Sequence, residues 1–209
     1  MKILFEDEYI VVAIKAVGIL SQSDEKGEVN MISLLKEHCK GEVYPLHRLD
    51  RPVGGVMVYA KNKFAASALS RDIQEHRFQK EYIALVHGNP KEKIGVLEDL
   101  LFKDSIKNKS FVVKRERKGV KKASLHYEVI NQTNDLSSIL ILLHTGRTHQ
   151  IRVQFSSRKM PLTGDRKYGA DDGFETIGLW SYRLTFNHPK TKKELCFSAK
   201  PENYINEYI

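Results

Sequence analysis

The chain has 209 residues, enough to bury a full hydrophobic core, so a single domain over residues 1–209 is expected. Its formal net charge of +8 favours a polyanionic partner, with nucleic acid first and an anionic membrane surface second. The longest apolar runs, Tyr9–Ile14 and Ser138–Leu143, are too short to span a bilayer, and early acidic residues exclude a signal sequence. The two cysteines, Cys39 and Cys196, are typical of reduced thiols in a cytoplasmic protein.

The first half of the chain alternates between apolar periods of two and about 3.6, which indicates strands and helices in turn. Gly18 predicts a turn, and Asn30 is placed to cap a short helix through Met31 and His38. Asn62 should cap a second helix, Lys63–His76, whose buried stripe is predicted to include Phe64, Leu69 and Ile73. The predicted strands are Tyr9–Lys15, Val56–Lys61 and Lys80–His87.

In the second half, Gly146 precedes a predicted helix, Thr148–Arg158, with Ile151 and Phe155 one turn apart on its buried side. The predicted strands here are Phe111–Lys114, Ala123–Ile130 and Ser138–His144, followed by a terminal hairpin of Leu179–Asn187 and Glu194–Ala199. No repeat or linker divides the chain. The pattern as a whole predicts an α+β fold with a long mixed, mainly antiparallel sheet flanked by helices and loops.

The first segment that could carry chemistry is His47-Arg48-Leu49-Asp50-Arg51-Pro52-Val53-Gly54-Gly55. Its plain interpretation is a turn in which the Asp50 carboxylate bonds nearby backbone N–H groups. The functional interpretation rests on the two arginines beside Asp50, which favour its ionised form. An ionised carboxylate suits a nucleophile or an electrostatic stabiliser better than a general acid.

Two further segments are ambiguous when each is taken alone. Lys80–Val86 fits an ordinary strand in which Tyr82 is half-buried with its hydroxyl at the edge. The run Thr145–Val153 has a glycine turn leading into a helix, a combination that can bind phosphate through backbone N–H groups. Arg147 and Arg152 in that run could equally be solvated surface charges, and His149 a structural histidine.

Together, and in this order, the three segments resemble the RluA-type pseudouridine synthase family, which carries an HRLD segment, a K-x-Y strand and a G-R-x-H-Q-I-R segment. The flanks agree: Phe5–Gln22 resembles the family's opening strand and loop, Gly164–Gly169 the stretch after its third segment, and Leu184–Pro189 its terminal hairpin. The resemblance covers nearly the whole chain. It implies the catalytic core of a pseudouridine synthase, acting without cofactor or metal. Because the similarity begins at Phe5, an S4-type RNA-binding domain ahead of the core is not expected.

The resemblance also implies roles for single residues. Asp50 would be the catalytic carboxylate, Arg152 its salt-bridge partner, and Tyr82 the residue against the uracil ring. Arg48 would fill the space left by a flipped-out base. Ile151 and Val153 would line the pocket, although core packing explains them equally well. The remaining predicted RNA contacts near these segments are Arg51, Arg147, His149 and Gln150.

Three departures from the family pattern affect uncharged positions. Val53-Gly54-Gly55 stands where Thr-Ser-Gly is frequent, and Trp180-Ser181 where His-Ala is usual. The opening loop has Ala16-Val17 where Pro-Ala is frequent. None removes a charged catalytic group, so they bear on the choice of substrate and not on the chemistry.

Lys103–Lys122 is strongly basic, with nine lysines and arginines against two acids. One interpretation is a solvated hairpin whose lysines protect a sheet edge from aggregation. The other is a clamp for RNA, in which Gly119 marks the turn and Lys118, Lys121 and Lys122 project from its tip. The expected partner is a compact stem-loop of ribosomal or transfer RNA. No obligatory protein partner is expected, and the protein is predicted to be a monomer.

Two alternatives belong to other functional classes. A non-catalytic RNA-binding or ribosome-assembly protein could use the same core, but it would not need Asp50, Tyr82 and Arg152 together. A cysteine hydrolase using Cys39 or Cys196 is disfavoured, because Cys39 and the adjacent His38 point in different directions on a helix and Cys196 lies within a strand pattern.

Overall fold

The computed structural model describes residues 1–23 and 27–209. The chain forms two compact units, and each contains part of the β-structure. Unit 1 comprises Met1–Lys80 and Trp180–Pro201, and unit 2 comprises Glu81–Leu179 and Glu202–Ile209. Within the described ranges, no helix is both long enough and apolar enough to cross a membrane.

Unit 1 contains both parallel and antiparallel strand pairs, and its central strands are fully buried. Its strands are β1 (Lys2–Glu6), β2 (Ile10–Lys15), β3 (Tyr44–Pro45), β4 (Gly54–Ala60), β10 (Leu179–Asn187) and β11 (Glu194–Ser198). The order is β1-β2-β4-β10, with β3 paired to β4 and β11 to β10. The β4–β10 pair is parallel, and the other pairs are antiparallel. Every residue of β2 and β4 is buried, which explains their nearly continuous apolar sequences.

Two capped helices complete unit 1. α1 (Met31–Cys39) begins with a capping box, because the Asn30 side chain accepts from Ser33 N–H and Ser33 Oγ accepts from Asn30 N–H. α2 (Lys63–Gln74) is capped by Asn62, whose side chain accepts from Ala65 N–H. The buried face of α2 joins a cluster with the sheet that includes Ala65, Leu69, Val56, Val58, Phe78 and Phe186.

Unit 2 contains antiparallel strands and a short buried helix. Its strands are β5 (Gln79–His87), β6 (Ile94–Asp104), β7 (Lys109–Val113), β8 (Val120–Gln132) and β9 (Leu136–Leu143), in the order β5-β9-β8-β6-β7. The helix is α3 (Gln150–Ser156), in which residues 150–155 are all buried. Short 3-10 helices cover Arg166–Tyr168 and Tyr204–Tyr208.

The predicted α+β class and the mixed, mainly antiparallel sheet are confirmed. Both predicted asparagine caps are confirmed too, and β10 has the predicted bounds. The sequence missed β1, β3 and the long β6. β6 shows no strict alternation of buried and exposed positions, so it lacks the period-two signal of a half-buried strand.

Two local predictions about the helices were wrong. α3 begins at Gln150 and not at Thr148, because His149 adopts a left-handed conformation with φ of 52°. Phe64 is 56% exposed and does not contribute to the buried stripe of α2; its ring lies edge-on to Tyr9. The prediction of one catalytic domain over residues 1–209 stays a prediction.

Candidate active site

Asp50 lies in unit 1 on a braced turn before β4. The turn is closed by the Val53 N–H, which donates to the Asp50 carbonyl at 2.9 Å. On the preceding side, the buried Ser21 hydroxyl donates to the Leu49 carbonyl at 2.8 Å and accepts from the Leu49 N–H at 3.0 Å. The side chains of Leu49 and Val53 are buried, while Asp50 between them is partly exposed. The carboxylate is thus presented by a backbone that is fixed on both sides.

Lys15, which no motif in the sequence marks, binds the backbone of the same turn. It is 0% exposed, and its Nζ donates to the carbonyls of Val53 at 2.6 Å, Ala16 at 3.1 Å and Arg51 at 3.2 Å. Burial lowers the pKa of Lys15 to about 8, and the charge of Asp50 acts in the opposite direction. A buried ammonium therefore holds the backbone that follows Asp50.

The basic residues beside Asp50 are both exposed, but Arg51 is tied to the opening loop. Arg51 Nε donates to the Gly18 carbonyl at 3.0 Å, and its Nη2 forms an ion pair with Glu28 at 2.6 Å. The Gly18 N–H in turn donates to the Arg51 carbonyl at 2.9 Å. Arg51 therefore joins two loops of unit 1.

His47, the first residue of this segment, is held neutral. Burial, followed by the effect of the Lys80 charge, lowers the pKa of His47 to about 3. Its Nε2 accepts from the Val58 N–H at 3.4 Å, and its ring packs near Phe78. An imidazole that is neutral at physiological pH and accepts from a strand backbone has a structural role in this segment.

Tyr82 and Arg152 both lie in unit 2. Tyr82 is on β5 opposite Ile141 of β9 and is only 6% exposed, so it is more deeply buried than the half-buried strand position first considered. Arg152 is on α3, and its Nε and Nη2 donate to the Asp165 carboxylate at 2.7 and 2.8 Å. The side chains of Arg152 and Asp165 are 6% and 0% exposed, so this is a buried, two-pronged ion pair.

Asp165 belongs to the Gly164–Gly169 stretch, to which the sequence assigned no role. The pairing of Arg152 with Asp50 that the resemblance implies stays a prediction. The Asp165 pair occupies one edge of the planar guanidinium, and a second carboxylate would have to approach from another edge.

The turn before α3 is closed by Gln150, whose amide is committed to contacts within unit 2. Gln150 is 3% exposed; its Oε1 accepts from Thr145 Oγ1 at 2.8 Å and from Arg147 N–H at 3.1 Å. Its Nε2 donates to the Ser124 carbonyl at 3.1 Å. The exposed Arg147 donates from Nε to the Lys122 carbonyl at 2.9 Å, which joins this turn to the start of β8.

The predicted basic hairpin is wrong, because β7 and β8 do not pair with each other: both pair with β6, which lies between them. Gly119 has φ of 87° in the turn between β7 and β8, and Lys118, Lys121 and Lys122 are all exposed. Arg117 lies 4.7 Å from the centroid of the Phe102 ring, and Lys122 is 3.5 Å from Glu116. Most of this surface charge is available to solvent.

Of the two predicted pocket residues, Val153 has a clear packing role. Both Ile151 and Val153 are 5% exposed, and Val153 belongs to a core cluster with Leu101, Ala123 and Tyr168. This contact favours the core-packing alternative for Val153. The assignment of Ile151 to a pocket wall is a prediction.

The surroundings of Cys39 disfavour its use as a nucleophile. Burial, and then the charge of Glu6, raises the pKa of the Cys39 thiol, which favours the unreactive thiol form. Cys196 is exposed on β11, where it accepts from Thr185 Oγ1 at 3.5 Å.

Comparison with known proteins identifies the family. Residues 9–157 match the family model for RNA pseudouridylate synthases. An uncharacterized RNA pseudouridine synthase of Aquifex aeolicus is 32% identical, over 100% of this chain and 72% of that protein. Ribosomal large subunit pseudouridine synthase D of Borreliella burgdorferi is 30% identical, over 97% of this chain and 66% of that protein.

A solved structure shares the fold. Human RNA pseudouridylate synthase domain containing 1 superposes with a TM-score of 0.81 at 22% identity, covering 96% of this chain and 83% of that one. The family match extends over the Asp50 turn, β5 with Tyr82, and α3 with Arg152. The chain therefore belongs to the RNA pseudouridylate synthase family and is an RNA pseudouridine synthase.

Proposed function

We propose that this enzyme isomerises a specific uridine of large-subunit ribosomal RNA, with Asp50 as its catalytic carboxylate. The choice of ribosomal over transfer RNA is supported by relatives of several bacteria that are named ribosomal large subunit pseudouridine synthases C and D. Their similarity to this chain extends over 96% or more of its length.

The observation that carries the catalytic proposal is the fixed presentation of Asp50. Its turn is bonded on one side to Ser21 and on the other to the buried Lys15 ammonium. If Asp50 only formed a turn, its carboxylate would bond to nearby backbone N–H groups, and no buried cation would be needed. A carboxylate that must stay charged at one place needs both the rigid backbone and the favourable field.

The reaction explains why the carboxylate is needed. Breaking the N1–C1′ glycosidic bond develops positive charge at C1′, and the uracil then turns over and rejoins through C5. A carboxylate beside C1′ either stabilises this charge or attacks the carbon, as in glycosidases. The overall reaction is an isomerisation, so atoms and electrons balance within the nucleotide and no co-reactant is required.

Arg152 and Tyr82 are proposed to complete the chemistry. Arg152 would hold the Asp50 carboxylate in place, and its restraint by Asp165 at 2.7 and 2.8 Å supports a positioning role. Tyr82 would lie against the uracil ring and assist proton removal from C5. The target base must leave its stack to react, and Arg48, which is exposed, would occupy the space it leaves.

The RNA contacts are proposed for exposed basic side chains of both units, namely Arg48, Arg51, Arg147, Lys118, Lys121 and Lys122. His149 is proposed as a further contact. The predicted role of Gln150 as an RNA contact is revised. Because the oxygen and the nitrogen of its amide are both bonded within unit 2, we assign Gln150 to shaping the turn. We expect the enzyme to act as a monomer in the cytoplasm on a compact stem-loop.

The test is to map pseudouridines at single-nucleotide resolution in ribosomal and transfer RNA from cells with and without the gene. The proposal expects at least one position of large-subunit RNA to lose its modification. Purified protein should restore it on a transcript of the surrounding stem-loop, and the Asp50→Asn protein should not. Loss confined to transfer RNA would refute the substrate, and full restoration by Asp50→Asn would refute the role of Asp50.

A further inference from the structure

Tyr168 lies at the centre of several polar contacts in unit 2. It ends the 3-10 helix Arg166–Tyr168 and is 5% exposed. Its N–H donates to the Asp165 carbonyl at 2.9 Å, and its carbonyl accepts from Ser156 Oγ at 2.6 Å. The backbone of Tyr168 is therefore fixed both to its own segment and to the end of α3.

The ring of Tyr168 covers the guanidinium of Arg152. The guanidinium carbon lies 5.0 Å from the ring centroid, within the range of a cation–π contact. Asp165, three residues earlier, restrains the same guanidinium within its plane through two hydrogen bonds. One short segment thus limits both in-plane and out-of-plane movement of Arg152.

The hydroxyl of Tyr168 reaches His149 just before α3. It accepts from the Ser110 N–H at 2.8 Å and lies 2.9 Å from His149 Nδ1. If the hydroxyl donates its hydrogen to Nδ1, the imidazole proton is placed on Nε2. Burial raises the pKa of Tyr168, so the hydroxyl keeps the proton that it donates.

We propose that Tyr168 is a positioning residue whose ring holds Arg152 and whose hydroxyl fixes the orientation and the Nε2–H tautomer of His149. The inference rests on the proposed function, in which Arg152 supports turnover and His149 contacts RNA. A fixed Nε2–H is a hydrogen-bond donor suited to a phosphate or a ribose oxygen. The Tyr168 side chain would then position Arg152 for turnover and His149 for RNA binding.

The competing explanation is that Tyr168 only braces the fold. Ser110 belongs to β7, and its Oγ also donates to the Thr148 carbonyl at 2.6 Å, so the contacts of Tyr168 help join β7 to α3. A brace would lower stability without changing the tautomer of His149. It would also act independently of His149 in RNA binding.

Tyr168→Phe removes the hydroxyl and keeps the ring, so it tests the role of the hydroxyl alone. RNA affinity should fall by about fivefold, the effect of one net hydrogen bond, while kcat at saturating RNA stays within about twofold. In a His149→Ala background, the same change should alter RNA affinity by less than about twofold, because the imidazole that the hydroxyl orients is absent. Equal losses with and without His149 would overturn the His149 part of the proposal.

Long-range proton–nitrogen NMR of the free protein provides a readout that does not depend on activity. The wild type should show His149 with an unprotonated Nδ1 and a protonated Nε2, with the signals assigned by their loss in His149→Ala. Tyr168→Phe should move the Nδ1 shift. A wild-type tautomer protonated on Nδ1, or nitrogen shifts that are unchanged in Tyr168→Phe, would overturn the proposal.

Tyr168→Leu tests the ring. Because it removes the cover from Arg152, kcat should fall by a further factor of about ten relative to Tyr168→Phe, with thermal unfolding used to confirm folding. A kcat equal to that of Tyr168→Phe would overturn the Arg152 part. If the wild-type protein modified no RNA, the proposed function would fail, and the tautomer measurement would still decide the role of the hydroxyl.

Discussion

The indole ring of Trp180 lies directly against Gly54. The two residues are opposite each other where β4 and β10 pair in parallel, and a Cβ atom on Gly54 would lie 2.4 Å from Cζ3 of Trp180. The neighbouring Gly55 has φ of 124°, and a Cβ there would lie 2.3 Å from the Ser181 carbonyl oxygen. The departures from the family pattern at 53–55 and at 180–181 are therefore linked, because the residues at these positions pack against each other.

A serine at position 54 should be tolerated only with a smaller residue at position 180. We expect Gly54→Ser to lower the free energy of unfolding by about 1–3 kcal/mol, because overpacking displaces the buried indole. Adding Trp180→His should recover part of that loss. The measurement is urea unfolding of the two single variants and the double variant. Additivity within about 0.5 kcal/mol would show that the two positions are not coupled.

Replacing Asp50 by Asn keeps the shape of the side chain and removes its charge. Pseudouridine formation should fall below about one per cent of wild type, equivalent to more than ~2.7 kcal/mol of barrier. Folding and RNA affinity should stay near normal, because Ser21 and Lys15 hold the backbone of the turn. Single-turnover assays measure the rate. Glu28→Gln, which neutralises the acid paired with Arg51, is the control and should keep its turnover at saturating RNA.

Arg152→Lys should lower turnover while RNA binding stays close to wild type. Lysine keeps the charge but cannot reproduce the two-pronged contact with the buried Asp165. The control is Arg158→Lys, at an arginine that contacts Asp99 through Nη1 at 2.9 Å and is more exposed. If Arg152→Lys keeps the wild-type kcat, the role of Arg152 is only structural, in its ion pair with Asp165.

Lys15 should make stability depend on pH in the alkaline range. Burial lowers its folded-state pKa to about 8, against an unperturbed value of 10.5. Between these values the unfolded chain binds more protons, so the free energy of unfolding should rise with pH, by at most ~1.4 kcal/mol per pH unit from this group. Urea unfolding from pH 7 to 10.5 should show this rise in the wild type relative to Lys15→Met.

The exposed Lys121→Met variant controls for the loss of a lysine as such. If the difference between wild type and Lys15→Met does not vary with pH, Lys15 has the same proton affinity in the folded and unfolded states. The lowering of the Lys15 pKa by burial would then be wrong.

Removing Lys118, Lys121 and Lys122 together should reduce the salt dependence of RNA binding. Each phosphate contact contributes ~0.7 to the log–log slope for single-stranded RNA, so the triple alanine variant should lower the slope by about 2. Turnover at saturating RNA should change little, because backbone contacts do not reach the reacting base. The matched control removes three exposed lysines of the β10–β11 hairpin, Lys190, Lys192 and Lys193. An equal slope change in both triple variants would make the effect one of net charge alone.

The sequence by itself determined the family, the α+β class and most of the elements. These depend on local signals: apolar periodicity, the caps at Asn30 and Asn62, and motifs whose order along the chain is specific. Such signals report which face of an element is buried, since burial repeats with the geometry of the backbone. They failed at β6, whose burial does not alternate, and at Phe64, where a helix with a small buried stripe leaves an aromatic residue exposed.

Only the tertiary structure decided which groups hold the site residues. Lys15 reads as the polar end of an apolar strand, yet it binds carbonyls as far away as Val53. Arg152 reads as a helix arginine, yet it is paired with Asp165, and Tyr168 stands in a stretch without a predicted role. The physical reason is that a buried polar group must find a partner, but its identity depends on distances and angles between segments remote in sequence.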